Sequence, residues 1–581
     1  RSPGIAKFWR AILKVVYDVL DKVNALLPLD AFVNVISELI QHTDSAIRRK
    51  AMNIFNEKIV SFEGHAPEGS EDILVKMINN LTLVIQKEST SLSSEEDSAV
   101  NKQSALLCIA SLAKILGNLY PGQFAEAIPI IIGADSLQSG NPQLQISSLV
   151  CLTVICQEIG PRAVPHLPKF MPLITDILNN TVNAESPNML LQLGVVSALD
   201  TIVSVLPHFV SPYITKMLKG LLNPSIYTYD AAHSQKALIE AKATAVLSQL
   251  ATSVAPRVLL TPVFSFFETA IQNGTKSTLA LCSVVSQAIR NMTRDVMTSH
   301  YKQLFKFFLI AFDIRRTRSK QFDESEISVI EDSIIGAFLD LVMKLNETLF
   351  KPLFLKVVDW ATIELATDGA VVSEDGLKRV LFFYKLADSL LDKLKSIFTP
   401  YFGYLIDDVI MRLERYKEEQ QPIDALWNYI MSALRKSFLY DNDNLWNATK
   451  FEKIVDPVTD QMLVTSKGTS SDYLTRMNTY LVPCVGQMAV TVSNDTLWKP
   501  LNHKVLLKTR EDDPEIRLAA LKCIEEFYSR LGEEWLLFLA ESISFLAELM
   551  EDDDVRVEKL VQQVNAEIET HLGESLDKFF N

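Results

Sequence analysis

Apolar residues recur every three or four positions through most of this 581-residue chain, a spacing that predicts α-helices. The clearest case is the segment 141–180, in which Asn141 can cap a helix, Pro142 suits its first turn and Gly160 can end it. Three prolines then reverse the chain, and a second helix is predicted to end at 179–180. We expect the inner faces of this pair to comprise Leu144, Ile146, Leu149, Val150, Val154 and Ile155 in the first helix, and Phe170, Leu173, Ile174, Ile177 and Leu178 in the second.

A helix pair of ~40 residues cannot bury its own apolar surface and requires similar pairs on both sides. Turns of the same kind recur at intervals of 40, 46 and 49 residues, at Pro121, Pro161, Pro207 and Pro256. A second motif, Asp-x-x-Ile/Val-Arg, begins at Asp44, Asp513 and Asp552. Its aspartate can cap a helix and its arginine can reach an aspartate of a neighbouring turn. Both signals are typical of HEAT or armadillo repeats.

The predicted fold is therefore all-α, an α-α superhelix of the HEAT/armadillo type, and the low content of 19 Gly agrees with it. We divide the chain into regular repeats at 1–274, a less regular helical domain at 275–457, and C-terminal repeats with an acidic end at 458–581. The segment 89–98, STSLSSEEDS, has no apolar stripe and is interpreted as a loop. Its serines followed by acids also suit an acidophilic kinase, but the linker interpretation is favoured.

Motifs for catalysis, cofactors or metals are absent from the sequence. The six cysteines lie on apolar helical stretches without metal-ligand spacing, and we interpret them as buried side chains in a reducing compartment. No apolar run is expected to reach the length of a membrane span. We therefore expect no enzyme activity, no cofactor, no membrane partner and no small-molecule substrate.

Charge is distributed unevenly, because residues 511–581 carry a net charge of −13 out of −15 for the whole chain. Nucleic-acid-binding surfaces are usually basic, and the densest basic cluster is IRRTRSKQ, which gives Arg315, Arg316, Arg318 and Lys320 as possible RNA contacts. The alternative interpretation, a helix end whose cations pair with nearby acids, is favoured. In the acidic end, Glu533, Glu534, Asp553 and Asp554 are possible contacts for a basic partner, with helix capping as the alternative.

Several strings carry a closer resemblance: AFDIRRTR at 311–318, LVMKLNETLFKPLFLKVVDWA at 341–361, LFFYKLADSLLDKLKSIFTPYFGYL at 381–405, and the stretches 497–511 and 531–559. They resemble the C-terminal part of the large HEAT-repeat protein family associated with the U3 small nucleolar ribonucleoprotein. This resemblance covers residues 275–581 best. It implies a scaffold of the small-subunit processome in the nucleolus that acts in 18S pre-rRNA processing and rRNA transcription. The implied partners are other processome proteins, the U3 particle and pre-rRNA, contacted directly or indirectly.

Two function classes remain open at this point. The first is the processome scaffold that the resemblance favours. The second is a HEAT-repeat nuclear transport receptor, whose acidic surface would bind basic cargo and a small GTPase. The helical pattern fits both classes, because a fold does not determine a function.

Overall fold

The structure of the chain is a computed structural model, and it describes residues 3–86, 95–227, 234–363, 373–420, 423–465 and 470–579. These residues form α-helices joined by short turns, and no β-strand occurs among them. The all-α prediction is therefore confirmed for the described part of the chain. Contacts between Cα atoms divide the chain into two compact units, Arg1–Lys302 and Gln303–Asn581. The three-part division made from the sequence remains a prediction.

In the first unit, the helices form two layers. One layer contains α3, α5, α7, α9, α12 and α14, each packed on the next, and the other contains α2, α4, α6, α8, α10 and α13. The bounds are α1 (Pro3–Leu26), α2 (Leu29–Ile40), α3 (Ser45–Val60), α4 (Glu71–Gln86), α5 (Glu95–Leu116), α6 (Pro121–Ile131), α7 (Pro142–Ile159), α8 (Leu167–Val182), α9 (Met189–Val205), α10 (Ile214–Leu221), α11 (Pro224–Tyr227), α12 (Ser234–Ser253), α13 (Pro256–Gln272), α14 (Thr275–Asn291) and α15 (Arg294–Phe312), which crosses into the second unit.

The second unit repeats this arrangement, with α17, α19, α22, α25, α27 and α29 in one layer and α21, α23, α26 and α28 in the other. Its helices are α16 (Ile314–Arg318), α17 (Glu324–Val342), α18 (Glu347–Thr362), α19 (Glu374–Leu394), α20 (Thr399–Phe402), α21 (Ile406–Glu419), α22 (Ala425–Leu439), α23 (Ala448–Thr459), α24 (Ser470–Arg476), α25 (Val482–Val492), α26 (Asp495–Lys508), α27 (Pro514–Leu531), α28 (Leu539–Leu549) and α29 (Val555–Leu572). Short 3₁₀ segments at Gly160–His166, Lys395–Ile397 and Gly532–Phe538 connect paired helices.

The pair at 141–180 begins and turns as predicted. The Asn141 side chain accepts hydrogen bonds from the Gln143 and Leu144 backbone N–H groups at 3.0 and 3.3 Å, and Gly160 ends α7. The second helix runs to Val182, slightly beyond the predicted end. Pro121 and Pro256 open α6 and α13 as predicted.

One predicted core residue of α7 is wrong. Val150 is 49% exposed, whereas its neighbour Leu149 is fully buried. The reason is that α7 packs between α5 and α9 within its layer and on α6 in the other layer, which leaves one narrow stripe of the helix in solvent. Ile146, Val154, Leu173 and Ile177 are only half-buried; the predicted residues that do form the core are Leu144, Leu149, Ile155, Phe170, Ile174 and Leu178.

The Asp-x-x-Ile/Val-Arg motif caps helices as predicted in two of its three copies. Asp44 accepts from the Ala46 N–H at 2.8 Å, and Asp513 accepts from the Glu515 N–H at 2.9 Å. In the third copy the cap is Asp554 and not Asp552.

The displaced aspartate of that third copy has a different role. Asp552 accepts a hydrogen bond of 2.8 Å from Arg517 of the preceding motif. The predicted link from a motif arginine to the aspartate of a neighbouring turn is therefore present.

Lysine–carboxylate pairs connect successive repeats, and the sequence separation of the two partners is close to the repeat length. Lysine Nζ atoms reach carboxylates 40, 42, 44 and 48 residues away in the pairs Lys216–Asp176, Lys242–Asp200, Lys436–Asp392 and Lys504–Asp456. These separations lie in the same range as the proline intervals of 40 to 49 residues. Several successive repeats are therefore joined by charge pairs as well as by apolar packing.

The loop predicted at 89–98 is partly wrong, because α5 already begins at Glu95. Three acids in its first turn favour a helix start, since they complement the positive end of the helix dipole. Residues 89–94, including the serines that could serve a kinase, lie outside the described residues.

The prediction that no apolar run reaches the length of a membrane span is wrong, because Glu95–Leu116 and Pro142–Val182 are long and apolar enough to cross a membrane. In the most apolar part of each segment, half of the residues are buried inside the protein. The helices of both segments pack on neighbouring helices within the layers described above. Their apolar character is thus explained by packing in the protein interior.

Candidate nucleic-acid and protein contact sites

The predicted basic cluster lies in and just after the short helix α16. Arg315 is buried and forms a bidentate pair with Glu331 of α17, with Nε–Oε1 at 2.7 Å and Nη2–Oε2 at 2.9 Å. Its third donor, Nη1, reaches Glu324. Lys385 of α19 approaches the same Glu331 at 3.3 Å. The charge of Arg315 is therefore neutralised inside the protein.

Arg316 is also paired internally. Its Nε donates to Asp313 at 2.9 Å, and Arg379 of α19 binds the same carboxylate with Nε and Nη2 at 2.9 and 3.0 Å. The Arg379 guanidinium lies 4.7 Å from the centre of the Trp360 ring, and its Nη1 donates to the Trp360 carbonyl. Burial alone would raise the pKa of Asp313, but the hydrogen bonds from both arginines outweigh it and lower that pKa.

The ion pairs of Glu331 and Asp313 connect α16, α17 and α19, and the hydrogen bond from Arg379 to the Trp360 carbonyl adds α18. Of the four predicted RNA contacts, Arg315 and Arg316 thus serve packing within the second unit, while Arg318 is half-buried and Lys320 is exposed. RNA contact by this cluster remains a prediction. The structure provides an internal role for two of its four cations.

The predicted acidic contacts lie around the ends of α27 and α28. Glu533, Glu534 and Asp553 are exposed. Asp554 instead caps α29, accepting from the Arg556 backbone N–H at 2.8 Å and pairing with the Arg556 guanidinium. These hydrogen bonds lower the pKa of Asp554 to about 2. Three of the four acids are thus available at the surface, and contact with a basic partner remains a prediction.

A cleft that sequence reasoning missed lies between the end of α17, the start of α18 and the turn from α19 to α20. We name it the α18 cleft and define it by Met343, Glu347, Lys351, Ile397, Tyr404 and Asp443. Its volume is about 500 Å³, within the range of ligand pockets. Phe350 and Tyr401 are largely buried and also line it, with ring centres 5.1 Å apart. No sequence motif marks this site, because its residues come from segments separated by up to a hundred positions.

The described residues show no group of three or more His, Cys, Asp or Glu side chains that could hold a metal ion. All six cysteines are buried, as predicted, and burial raises the pKa of Cys108, Cys156 and Cys484 to about 12. Thiols with such pKa values stay protonated at neutral pH and are poor nucleophiles. The cysteines are therefore packing residues.

Comparison with known proteins identifies one matching domain and several relatives that resemble this chain along nearly its whole length. A model described as the BP28CT (NUC211) domain matches residues 296–446, the part that contains both the buried ion pairs and the α18 cleft. HEAT repeat-containing protein 1 of Homo sapiens is 33% identical over 593 residues, covering 99% of this chain and 27% of the human protein. U3 small nucleolar RNA-associated protein 10 of Schizosaccharomyces pombe is 29% identical over 563 residues, covering 96% of this chain and 31% of the yeast protein.

Among solved structures, Kap95 in the Kap95:Nup1 complex aligns with 94% of this chain and 63% of its own chain, at 16% identity and a TM-score of 0.39. That likeness is too low to support an inference. The two relatives share far more sequence with the chain, although it spans less than a third of the length of either. Along nearly its whole length the chain is therefore similar to HEAT repeat-containing protein 1 and to U3 small nucleolar RNA-associated protein 10, and its residues 296–446 match the BP28CT (NUC211) domain.

Proposed function

We propose that this chain is part of a non-enzymatic scaffold of the small-subunit processome, located in the nucleolus, that supports 18S pre-rRNA processing, ribosome biogenesis and rRNA transcription. The observation that carries the proposal is the similarity, along nearly the whole chain, to proteins named for association with the U3 small nucleolar RNA. The proposed partners are other processome proteins, the U3 particle and pre-rRNA.

The architecture supports a scaffold. Successive helix pairs are joined by buried apolar residues and by charge pairs about forty residues apart, so each unit presents extended faces made of many repeats. Such faces suit the binding of several partners, whereas the pairing of Arg315 and Arg316 within the protein leaves less basic surface for RNA. Protein partners are therefore proposed as the main direct contacts of this region.

The acidic end supports one such contact. Glu533, Glu534 and Asp553 are exposed within a region of net charge −13, which would attract basic protein segments and repel RNA phosphates. We propose that this acidic end binds a basic tail of a partner protein. RNA would then bind elsewhere in the assembly.

The proposal is tested by tagging the protein in its own cells and purifying it from nuclei. We expect U3 RNA to be enriched over a spliceosomal small nuclear RNA, and depletion of the protein to raise 18S precursors and lower labelled rRNA synthesis. Precursors specific to the large subunit serve as the control and should change less. A protein that brings down no more U3 than spliceosomal RNA would refute the processome role.

A further inference from the structure

We propose that the α18 cleft binds an extended segment of a partner protein that presents one bulky apolar side chain next to a lysine or arginine. The inference goes beyond the proposed function, because it assigns a binding site and the chemistry of its ligand. It holds whether or not that partner takes part in ribosome assembly.

The apolar part of the ligand follows from the walls of the cleft. Ile397 is 72% exposed, and Met343 and Tyr404 are each 49% exposed, so three large apolar side chains face solvent around one depression. Phe350 and Tyr401 supply its largely buried aromatic lining. A depression of about 500 Å³ with such walls accepts an aromatic or branched aliphatic side chain, the usual anchor of a protein interface.

A strained backbone conformation in one wall of the cleft also favours a binding site there. Lys395 has φ 52° and ψ −125° at the turn that carries Ile397. At the comparable ends of α7 and α27, Gly160 and Gly532 adopt this conformation, which a side chain disfavours. A strained residue that is held in place by its surroundings is typical of binding sites. Here the strained turn carries Ile397, the most exposed large apolar side chain of the cleft.

The basic part of the ligand follows from charge. Glu347 and Asp443 are exposed carboxylates of the cleft, and Lys351 is its one lysine or arginine. The Lys351 ammonium lies 6.0 Å from the centre of the Tyr404 ring. The charged side chains of the cleft therefore sum to −1, which favours a cation beside the apolar anchor and disfavours a phosphate backbone.

The test begins with a phage-displayed library of random dodecapeptides, selected on the complete wild-type chain and counter-selected on Ile397→Glu. We expect the enriched sequences to share an aromatic or aliphatic residue next to Lys or Arg. The leading sequence is then synthesised with a fluorescent label, and its affinity for each variant is measured by anisotropy. Because Ile397 is largely exposed, its substitution should leave the melting temperature unchanged, which is verified first.

The expected result is binding roughly tenfold weaker or more for Ile397→Glu and for the pair Glu347→Lys and Asp443→Lys. Leu377→Glu is the matched control: Leu377 is 41% exposed on α19 and lies outside the cleft, so affinity should not change. The proposal is overturned if no sequence is enriched, if the enriched residues are acidic, or if the cleft variants bind like wild type. A wild-type dimer that Ile397→Glu abolishes would also overturn it, because a second copy would then be the occupant.

Discussion

Lys395 has the backbone conformation that Gly160 has at the end of another helix. The φ and ψ angles are 52° and −125° at Lys395 and 55° and −128° at Gly160, and a 3₁₀ segment begins at each residue. Glycine adopts such angles freely, whereas any other residue is strained by its Cβ atom. The same turn is thus built once with the favoured residue and once with a disfavoured one.

Replacing Lys395 with Gly should therefore stabilise the protein. Relief of strain outweighs the added freedom of the unfolded chain, and we expect a gain of about 1 kcal/mol in the free energy of unfolding. Chemical denaturation of the complete chain measures it. Gly160→Lys is the matched control and should cost roughly 1–3 kcal/mol through the backbone alone, since nothing lies within 4 Å of the added Cβ. A destabilising Lys395→Gly would show that the turn is not strained.

The sequence predicts periodic features of this fold well and individual sites poorly. Asn141, Gly160 and Asp513 are local signals, because a cap or a helix end depends on residues within one turn, and the structure confirms all three. Val150 was misplaced because periodicity shows that a helix is apolar, but not which side its neighbours leave open. Arg315 was ambiguous because its partner Glu331 lies 16 residues further along the chain and meets it only after folding.

The two neighbours Leu149 and Val150 give a direct test of the corrected core. Leu149→Asp would place an unpaired charge in a fully buried position, at a cost of roughly 3 kcal/mol or more. Val150→Asp introduces the same group at a position that is 49% exposed and should change stability by about 0.5 kcal/mol or less. Thermal unfolding of both variants measures the two losses of stability, and the loss should be larger for Leu149→Asp. Equal losses would mean that Val150 is covered.

Glu331 should be essential for the stability of the BP28CT domain. Its side chain is fully buried and balances Arg315 and Lys385, so Glu331→Gln leaves these two buried cations with only the exposed carboxylates of Glu324 and Asp332. We expect a loss of about 3–5 kcal/mol in the unfolding transition of the second unit. Glu324→Gln removes another partner of Arg315, but that side chain is 71% exposed, and the loss should stay below about 1 kcal/mol. If both variants melt alike, the buried pair contributes no more than a surface pair.

RNA binding by the basic cluster should depend on Lys320 and not on Arg315. If this region binds RNA, Lys320→Ser should reduce the slope of log affinity against log salt by up to about 0.7, because one phosphate contact to a single strand is lost. Arg315→Ser should lower the melting temperature and leave the slope unchanged, since its guanidinium is already paired. Anisotropy with a labelled pre-rRNA oligonucleotide over a range of KCl concentrations measures both slopes. A slope change for Arg315→Ser at unaltered melting would contradict this assignment.

At the acidic end, Asp554 must be separated from its exposed neighbours. Its pKa of about 2 lies below the ordinary 3.8 because Arg556 donates hydrogen bonds to it. The charged form is therefore favoured in the folded protein, so this carboxylate stabilises the fold above about pH 4, and that contribution is lost as the pH falls towards 2. Asp554→Asn should remove this part of the acid sensitivity of unfolding. Substituting Asp554 tests the helix cap, so it cannot also test partner binding.

Partner binding is tested by reversing only Glu533, Glu534 and Asp553 to Lys, since the three are exposed and make no cap for α29. We expect unchanged circular dichroism and melting, but weaker binding of a synthetic Lys/Arg-rich peptide. Because the attraction acts between exposed charges, the difference from wild type should shrink as salt rises from low to physiological strength and the screening length falls to about 8 Å. Reversal of Glu68, an exposed acid of the first unit, is the control and should have no effect. Equal affinity of the triple variant and wild type at low salt would refute partner binding through these three acids.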